Sequence, residues 1–233
     1  MTIGPQKLFV LDHKSAIVPQ VYRWLRRAII HAELVPGSRL SETDIAAHMA
    51  TSRQPVREAF IKLVEDGLVE VRPQRGTYVR KISVGAVMDA RFIREAIEAE
   101  IVRELACKSD LCLVRDLQRQ IQIQRSIAGL EPSSFFQLDE EFHRTLAEGA
   151  GHVHAWTVIE GLRSHLDRVR HLATRKLSVA TMIEQHAAVV EAISRGDVPE
   201  ADRAIRGHLR TILTELPLIV RDCALFFDGD VEA

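Results

Sequence analysis

The sequence is poor in the residues that sheet proteins, disulfide scaffolds and membrane proteins depend on. Aromatic residues are only 5% of its 233 positions. Ala, Leu, Ile, Arg and Glu are plentiful, a balance that favours helix over strand. Three cysteines occur, Cys107, Cys112 and Cys223. Their odd count and the absence of any CxxC exclude a disulfide framework or a zinc ribbon, and reduced thiols are expected. No apolar run approaches the ~20 residues of a membrane span. "LFVLDHK" near the start is too short and too charged for the apolar region of a secretory signal. A cytoplasmic chain without membrane attachment is therefore expected. HExxH is missing, which removes the usual zinc protease, and no glycine-rich phosphate loop or GxSxG occurs.

What is present is ordinary in amount and uneven in distribution. Hydrophobic residues make up 46% and charged residues 27%, enough for a real core in one or two domains. Net charge is −1, but residues 1–80 carry 12 Lys and Arg against 8 Asp and Glu, and the remainder carries 19 against 24. A basic front and an acidic back fit an anion-binding module joined to something else.

In the front part, Ile17, Val21, Trp24, Leu25, Ala28, Ile29 and Ala32 recur at helical spacing. Pro36-Gly37 breaks that helix. Ser41 can cap a short helix through Ile45, Ala46 and Met49, with Asp44 three residues on. Ser52 can cap another, with Pro55 in its first turn and Gly67 at its end. Val56, Phe60 and Leu63 give that helix an apolar stripe, while its N-terminal end presents Arg53, Gln54 and Arg57. Leu68–Arg72 and Thr77–Lys81 read as strands joined by the turn "PQRG". Helix, short helix, helix, hairpin is the order of a winged helix-turn-helix. The second short helix would enter the major groove N-terminus first. Arginine there can pair with guanine and glutamine with adenine, and Arg75 at the hairpin tip can reach phosphate or the minor groove. The same spacing also fits a solvated charged helix beside an ordinary hairpin.

"VPGSRLSETDIAAHMATSRQPVREAFIKLVEDGLVEVRPQRGTYV" resembles the DNA-binding domain of the GntR family of bacterial transcription regulators. It follows the pattern PGxxLxExxLAxxxxVSRxPVRxALxxLxxxGLVxxxxxxGxxV almost throughout. With the first helix, the resemblance covers about residues 15–81. It implies DNA contacts from Ser52, Arg53, Gln54 and Arg57, and from the wing residues Arg75 and Gly76. The family usually has Gly-Val where this chain has Ala50-Thr51. Alanine fits that turn if its φ stays negative.

From Ser83 onward only helical periods are seen, over about 83–108, 111–129, 133–149, 152–172, 177–195 and 197–214, then a helical or irregular tail. Such helices with short links make an all-α bundle. Asp139 and His143 lie one turn apart, within a stripe that includes Phe135, Phe142 and Leu146. His186 sits among Met182, Ile183, Val189 and Val190, and His208 among Ala204, Ile205, Leu209 and Ile212. Each histidine alone can be a hydrogen-bonded core residue. An aspartate and three histidines on inward faces of three helices together favour a shared divalent metal, because unpaired buried charge is costly. Imidazole suits Zn, Ni, Mn or Fe. A carboxylate di-iron site would need a second Glu-x-x-His beside Glu140-x-x-His143, and none occurs. His152 and His154 would point about 200° apart on a helix and are not expected to share a metal.

"RFIREAIEAEIVRELA", "DEEFHRTLAEGAGH" and "EQHAAVVEAISRGDVPEADRAIRGHL" resemble the FCD effector domain of the FadR branch of the same family, over about residues 85–214. The pattern DxxxH…H…H falls on Asp139, His143, His186 and His208. The resemblance implies a metal facing a cavity and a small carboxylate effector held by the metal and nearby basic groups. Arg94 matches the family arginine that meets such an anion, and Arg168 and Arg170 are further candidates.

The expected fold is mainly α: a winged helix-turn-helix over residues 1–81, then an all-α helical-bundle effector domain over residues 82–233. The expected protein is a homodimeric, effector-responsive repressor that reads a palindromic operator on double-stranded DNA, and not an enzyme. Two alternatives stay open. The metal itself can be the signal, or the bundle can be a metal-dependent hydrolase with Glu140 as its base.

Overall fold

A computed structural model of the protein describes residues 10–108, 110–127, 132–173 and 178–228. Helix α1 (Ile17–Ile30) buries Val21, Trp24, Leu25, Ala28 and Ile29 along one stripe. A short strand β1 (Arg39–Leu40) follows, then α2 (Glu42–His48) and α3 (Arg53–Glu65). Ser41 caps α2 by accepting from the Asp44 amide at 3.2 Å, as its spacing predicts. Ser52 precedes α3 in extended backbone but makes no side-chain cap bond.

The turn after α2 departs from expectation. Ala50 has φ +50°, so the condition under which alanine suits it is not met. The Thr51 amide reaches back to the Ala46 carbonyl at 3.0 Å, a helix-ending geometry that places the intervening residue in the left-handed region. Gly67 does the same work after α3, at φ +71°, and there the residue is the one the backbone favours.

Strands β2 (Val69–Arg72) and β3 (Gly76–Val79) form the hairpin, and β1 adds to its other side, for an antiparallel order β1-β3-β2. The strands are slightly shorter than the sequence predicts, and β1 has too few residues to show a period. One apolar cluster, from Leu11 to Val79, holds this whole part together.

Beyond it lie β4 (Ile82–Ser83), α4 (Val84–Lys108), α5 (Leu111–Ile127), α6 (Pro132–Ala150), α7 (Val153–Leu162), α8 (Ser164–Leu172), α9 (Val179–Ser194) and α10 (Val198–Asp222). A 3-10 turn at Ala224–Phe226 leads to β5 (Phe227–Asp228), which pairs in parallel with β4. That pair sits beside the helical bundle the sequence predicts and has no sequence signal, since two-residue strands carry no periodicity. The helix predicted over 152–172 is also two helices, interrupted at Arg163. The interruption follows Gly161, which weakens a helix by about 1 kcal/mol. The last helix runs past the expected end at 214, through Pro217. Pro217 forfeits a backbone hydrogen bond, and burial of Leu216, Ile219 and Val220 offsets that loss. The ends predicted at 128–129 and 177 lie outside the described residues.

Two apolar clusters organise the bundle. The larger one joins α4, α5, α6, α7, α9 and α10. The second joins β4, the start of α4, α8, the end of α10 and β5. Helix α8 also meets α1, where Arg26 Nη2 lies 2.8 Å from Asp167 Oδ2.

Candidate metal centre and DNA-recognition face

Asp139 and His143 come from α6, His186 from α9 and His208 from α10. All four are buried, and one ligand atom from each lies within 4.8 Å of all the others. His208 Nε2 is 3.2 Å from His143 Nε2 and 3.2 Å from His186 Nε2. Asp139 Oδ1 is 3.4 Å from His186 Nε2 and 3.7 Å from His143 Nε2.

The outer nitrogens decide which lone pairs point inward. His186 Nδ1 donates to Gln124 Oε1 at 2.9 Å, and the Gln124 amide is oriented by donating to the Leu138 carbonyl at 3.2 Å. His208 Nδ1 donates to Gln185 Oε1 at 3.1 Å, and Gln185 donates to Thr211 Oγ1 at 3.1 Å. His143 Nδ1 makes a short but bent contact of 2.5 Å with Glu98 Oε2. With protons on the outer nitrogens, three inner lone pairs and a carboxylate oxygen face one point. Asp139 Oδ1 is buried with no hydrogen-bond donor. Such a set repels itself unless a cation lies among it, and outer-nitrogen partners of this kind are what metal-binding histidines use. The residues fit a divalent metal.

Charge in the surroundings supports the same protonation state. Burial pushes His186 down to about 4 and holds His208 well below the usual imidazole range, where the neighbouring histidines push it further. Burial opposes the Asp139 charge, yet the Arg170 guanidinium holds its carboxyl well below the usual carboxylate range. Arg170 Nη1 lies 2.5 Å from Asp139 Oδ2. Glu98 is likewise held at about 2, against burial, by Arg94 and His143.

Beside His208 is a cavity of about 30 Å³ whose wall includes Arg91, Arg94, Arg170 and Met182. It has room for roughly a water or two. Arg94 is buried. Its Nε donates to Glu98 at 2.6 Å, and its Nη2 has no partner. Arg168 is buried too, but does not line this cavity. It stands two residues from Arg170 and so points about 200° away on the helix. Its Nη1 is unpartnered, and burial pushes it down to about 10. Glu140 turns outward to Arg144 at 3.1 Å and Arg163 at 3.6 Å. His152 is exposed and pairs with Glu104 at 3.0 Å.

Sequence reasoning missed three supporting residues. Glu98 stands four residues after Arg94, in the RxxxE spacing, so its signal was present. Gln124 and Gln185 had no local signal, because glutamine on a helix is ordinary.

In the winged part, Ser52, Arg53, Gln54 and Arg57 are exposed at the start of α3. Arg53 Nη2 and both reachable nitrogens of Arg57 lie 3.1 Å from the Glu42 carboxylate. Glu42 therefore holds two arginines side by side, a role the sequence did not disclose. Gln54 donates to Glu58 at 3.0 Å. Arg75 is exposed at the wing tip, after Gln74 at φ +60° and before Gly76 at φ +108°. A Cβ at Gly76 would come within 3.1 Å of the Arg39 guanidinium.

Comparison with known proteins decides the family. Residues 18–79 match the bacterial regulatory proteins of the gntR family, and residues 89–211 match the FCD domain. The chain belongs to the GntR family. Within it, the helical bundle is an FCD-type effector domain, as in the FadR branch. This GntR regulator is 40% identical over 214 residues to the HTH-type transcriptional repressor RspR of Escherichia coli K12, covering 91% of this chain and 92% of that one. It is 38% identical over 200 residues to an HTH-type transcriptional regulator in an unstable DNA locus of Streptomyces ambofaciens, covering 85% and 84%. The solved structure of E. coli McbR/YncC shares its fold, with a TM-score of 0.71 at 17% identity over 89% of this chain and 99% of that one. The two relatives matched by sequence are named as transcriptional regulators, and the GntR protein described here is a DNA-binding regulator, not an enzyme. Among the described residues, no helix is long and apolar enough to cross a membrane.

Proposed function

We propose that this GntR regulator is a homodimeric repressor whose operator affinity is set by a divalent metal and a small carboxylate bound in the bundle. The observation that carries the reading is the convergence of three inward imidazole lone pairs on the unpartnered Asp139 Oδ1. Asp139, His143, His186 and His208 would hold Zn, Ni, Mn or Fe. When bound, the metal supplies a Lewis-acidic point for a carboxylate oxygen. Arg94, with its unpartnered Nη2, would meet the acid from the cavity wall. The domains divide at residues 81 and 82 in this reading. Ser52, Arg53, Gln54 and Arg57 would read and position the major groove, and Arg75 and Gly76 would follow the adjacent backbone. Two heads would match the halves of a palindrome. Repression is the direction that the E. coli relative's name carries.

A second reading has one observation in its favour. A cavity of about 30 Å³ admits little beyond the metal's own water, so the metal itself can be the signal. One experiment tests both. Operator binding is followed by footprinting at buffered metal concentrations, with and without a panel of small carboxylates, for the wild type and for His186→Ala with His208→Ala. Effector sensing gives a shift that needs both acid and metal and is absent in the variant. Metal sensing gives a shift with metal alone. A variant that retains stoichiometric metal rejects the four-ligand site.

A further inference from the structure

A larger cavity than the one beside the Asp/His cluster is present elsewhere among the described residues. It lies where α1 of the DNA-binding part faces α6 and α8 of the bundle, and has a volume of about 540 Å³. That is within the range of about 300–1,000 Å³ typical of small-ligand sites. Its wall carries five arginines, Arg23, Arg26, Arg27, Arg163 and Arg170, against two carboxylates, Glu140 and Asp167.

Those carboxylates are already committed. Asp167 takes Arg26 at 2.8 Å and Arg163 at 3.2 Å, and Glu140 takes Arg144 at 3.1 Å and Arg163 at 3.6 Å. Arg170 is held by Asp139 at 2.5 Å. Arg23 and Arg27 have no carboxylate partner among the described residues. They stand four apart on α1, so they share a face, and like charges at that spacing weaken a helix. Arg163 is buried, and its Nε has no hydrogen-bond partner. An excess of guanidinium along an open cleft, with a buried, unsatisfied donor in its wall, suits anionic oxygen, because planar guanidinium forks match carboxylate and phosphate geometry.

We propose that this cleft binds a small multivalent oxyanion, a phosphoryl compound or a polycarboxylate, and that the ligand bridges α1 to α8. Arg170 lines both this cleft and the cavity beside His208. An anion that draws Arg170 towards the cleft loosens its hold on Asp139, so the two sites are linked through one side chain. Binding at the cleft stands apart from the metal reading. Only its consequence for the operator rests on that reading.

The test is calorimetric titration of the full-length protein, without DNA and freed of metal, because both probes chelate divalent ions. Inorganic pyrophosphate and citrate are the probes. The expected result is one anion per chain, weakened roughly tenfold or more in Arg23→Gln with Arg27→Gln, a loss of about 1.4 kcal/mol or more. Binding should persist in Arg53→Gln with Arg57→Gln. All four positions are exposed, so both variants are expected to fold. Tighter pyrophosphate assigns the site to phosphoryl ligands and tighter citrate to polycarboxylates. Absence of binding by both probes overturns the proposal. So does binding that survives the first variant, or binding that is lost in the second, which would place the anion on the DNA-recognition face.

Discussion

Arginine is used in two opposite ways in this protein. At the start of α3, Arg53 and Arg57 share Glu42 while their side chains remain 61% and 55% exposed. In the bundle, Arg94 and Arg170 pair with Glu98 and Asp139 with at most 11% exposed. The difference separates binding from architecture. Exposed ion pairs contribute little and exchange partners readily, so Glu42 can present two guanidinium groups and give them up to DNA. Buried pairs contribute little net energy when intact but are costly to break, so Arg94 and Arg170 fix the Glu98 and Asp139 carboxylates beside the candidate metal centre.

The sharpest way to break that comparison is to remove one carboxylate from each place. Asp139→Ala strands Arg170 and should destabilise the metal-free protein by about 3–5 kcal/mol, read from urea unfolding. Glu42→Ala should cost less than about 1 kcal/mol in the same assay. Equal losses would erase the distinction.

Acid should separate the regions next. Burial pulls His165 and His186 down to about 4 in the folded chain, with Arg168 and Arg80 adding to the effect at His165. The unfolded chain takes up these protons near 6.5. Between those values the unfolded state binds more protons, so stability falls as pH falls. Unfolding of the metal-free protein should therefore become easier from about pH 6.5 down to about 4. A flat profile over that window would show that the buried imidazoles are not held neutral.

On the DNA side, Arg53→Ala should relax base preference at one operator position by about 1–3 kcal/mol. Arg75→Ala should weaken binding evenly across sequences and lower the salt slope by about one unit. Binding competitions with operator variants across a salt series distinguish the two. Uniform loss in both variants would make the α3 arginine a phosphate contact.

The smallest effect is expected at the turn before α3. Ala50→Gly removes the strain of an alanine at φ +50°. It should stabilise the protein by about 0.5–1 kcal/mol after the added flexibility of glycine is counted. A loss of melting temperature would show that the Ala50 methyl makes a contact worth more than the strain.

Much of the head was legible because its signals are local. Caps, Pro-Gly breaks, a hairpin turn and a polar helix start all lie within a few residues of what they organise. The Asp/His cluster was legible for another reason. Polar residues inside apolar stripes violate the pattern around them, and Asp139, His143, His186 and His208 each did so. The long-range partners were not legible. Gln124 is 62 positions from His186, and Arg170 is 31 from Asp139. No spacing rule links positions that far apart.

By itself, the sequence determined the helical content, the winged helix-turn-helix, and which four polar residues turn inward in the bundle, because periodicity and residue chemistry act over one or two turns. Only the tertiary structure decided which arginines line the cavity beside His208, where Arg163 interrupts a helix, and that α1 and α8 flank a basic cleft. Those outcomes depend on how separate helices pack, and packing joins side chains that the linear order keeps apart.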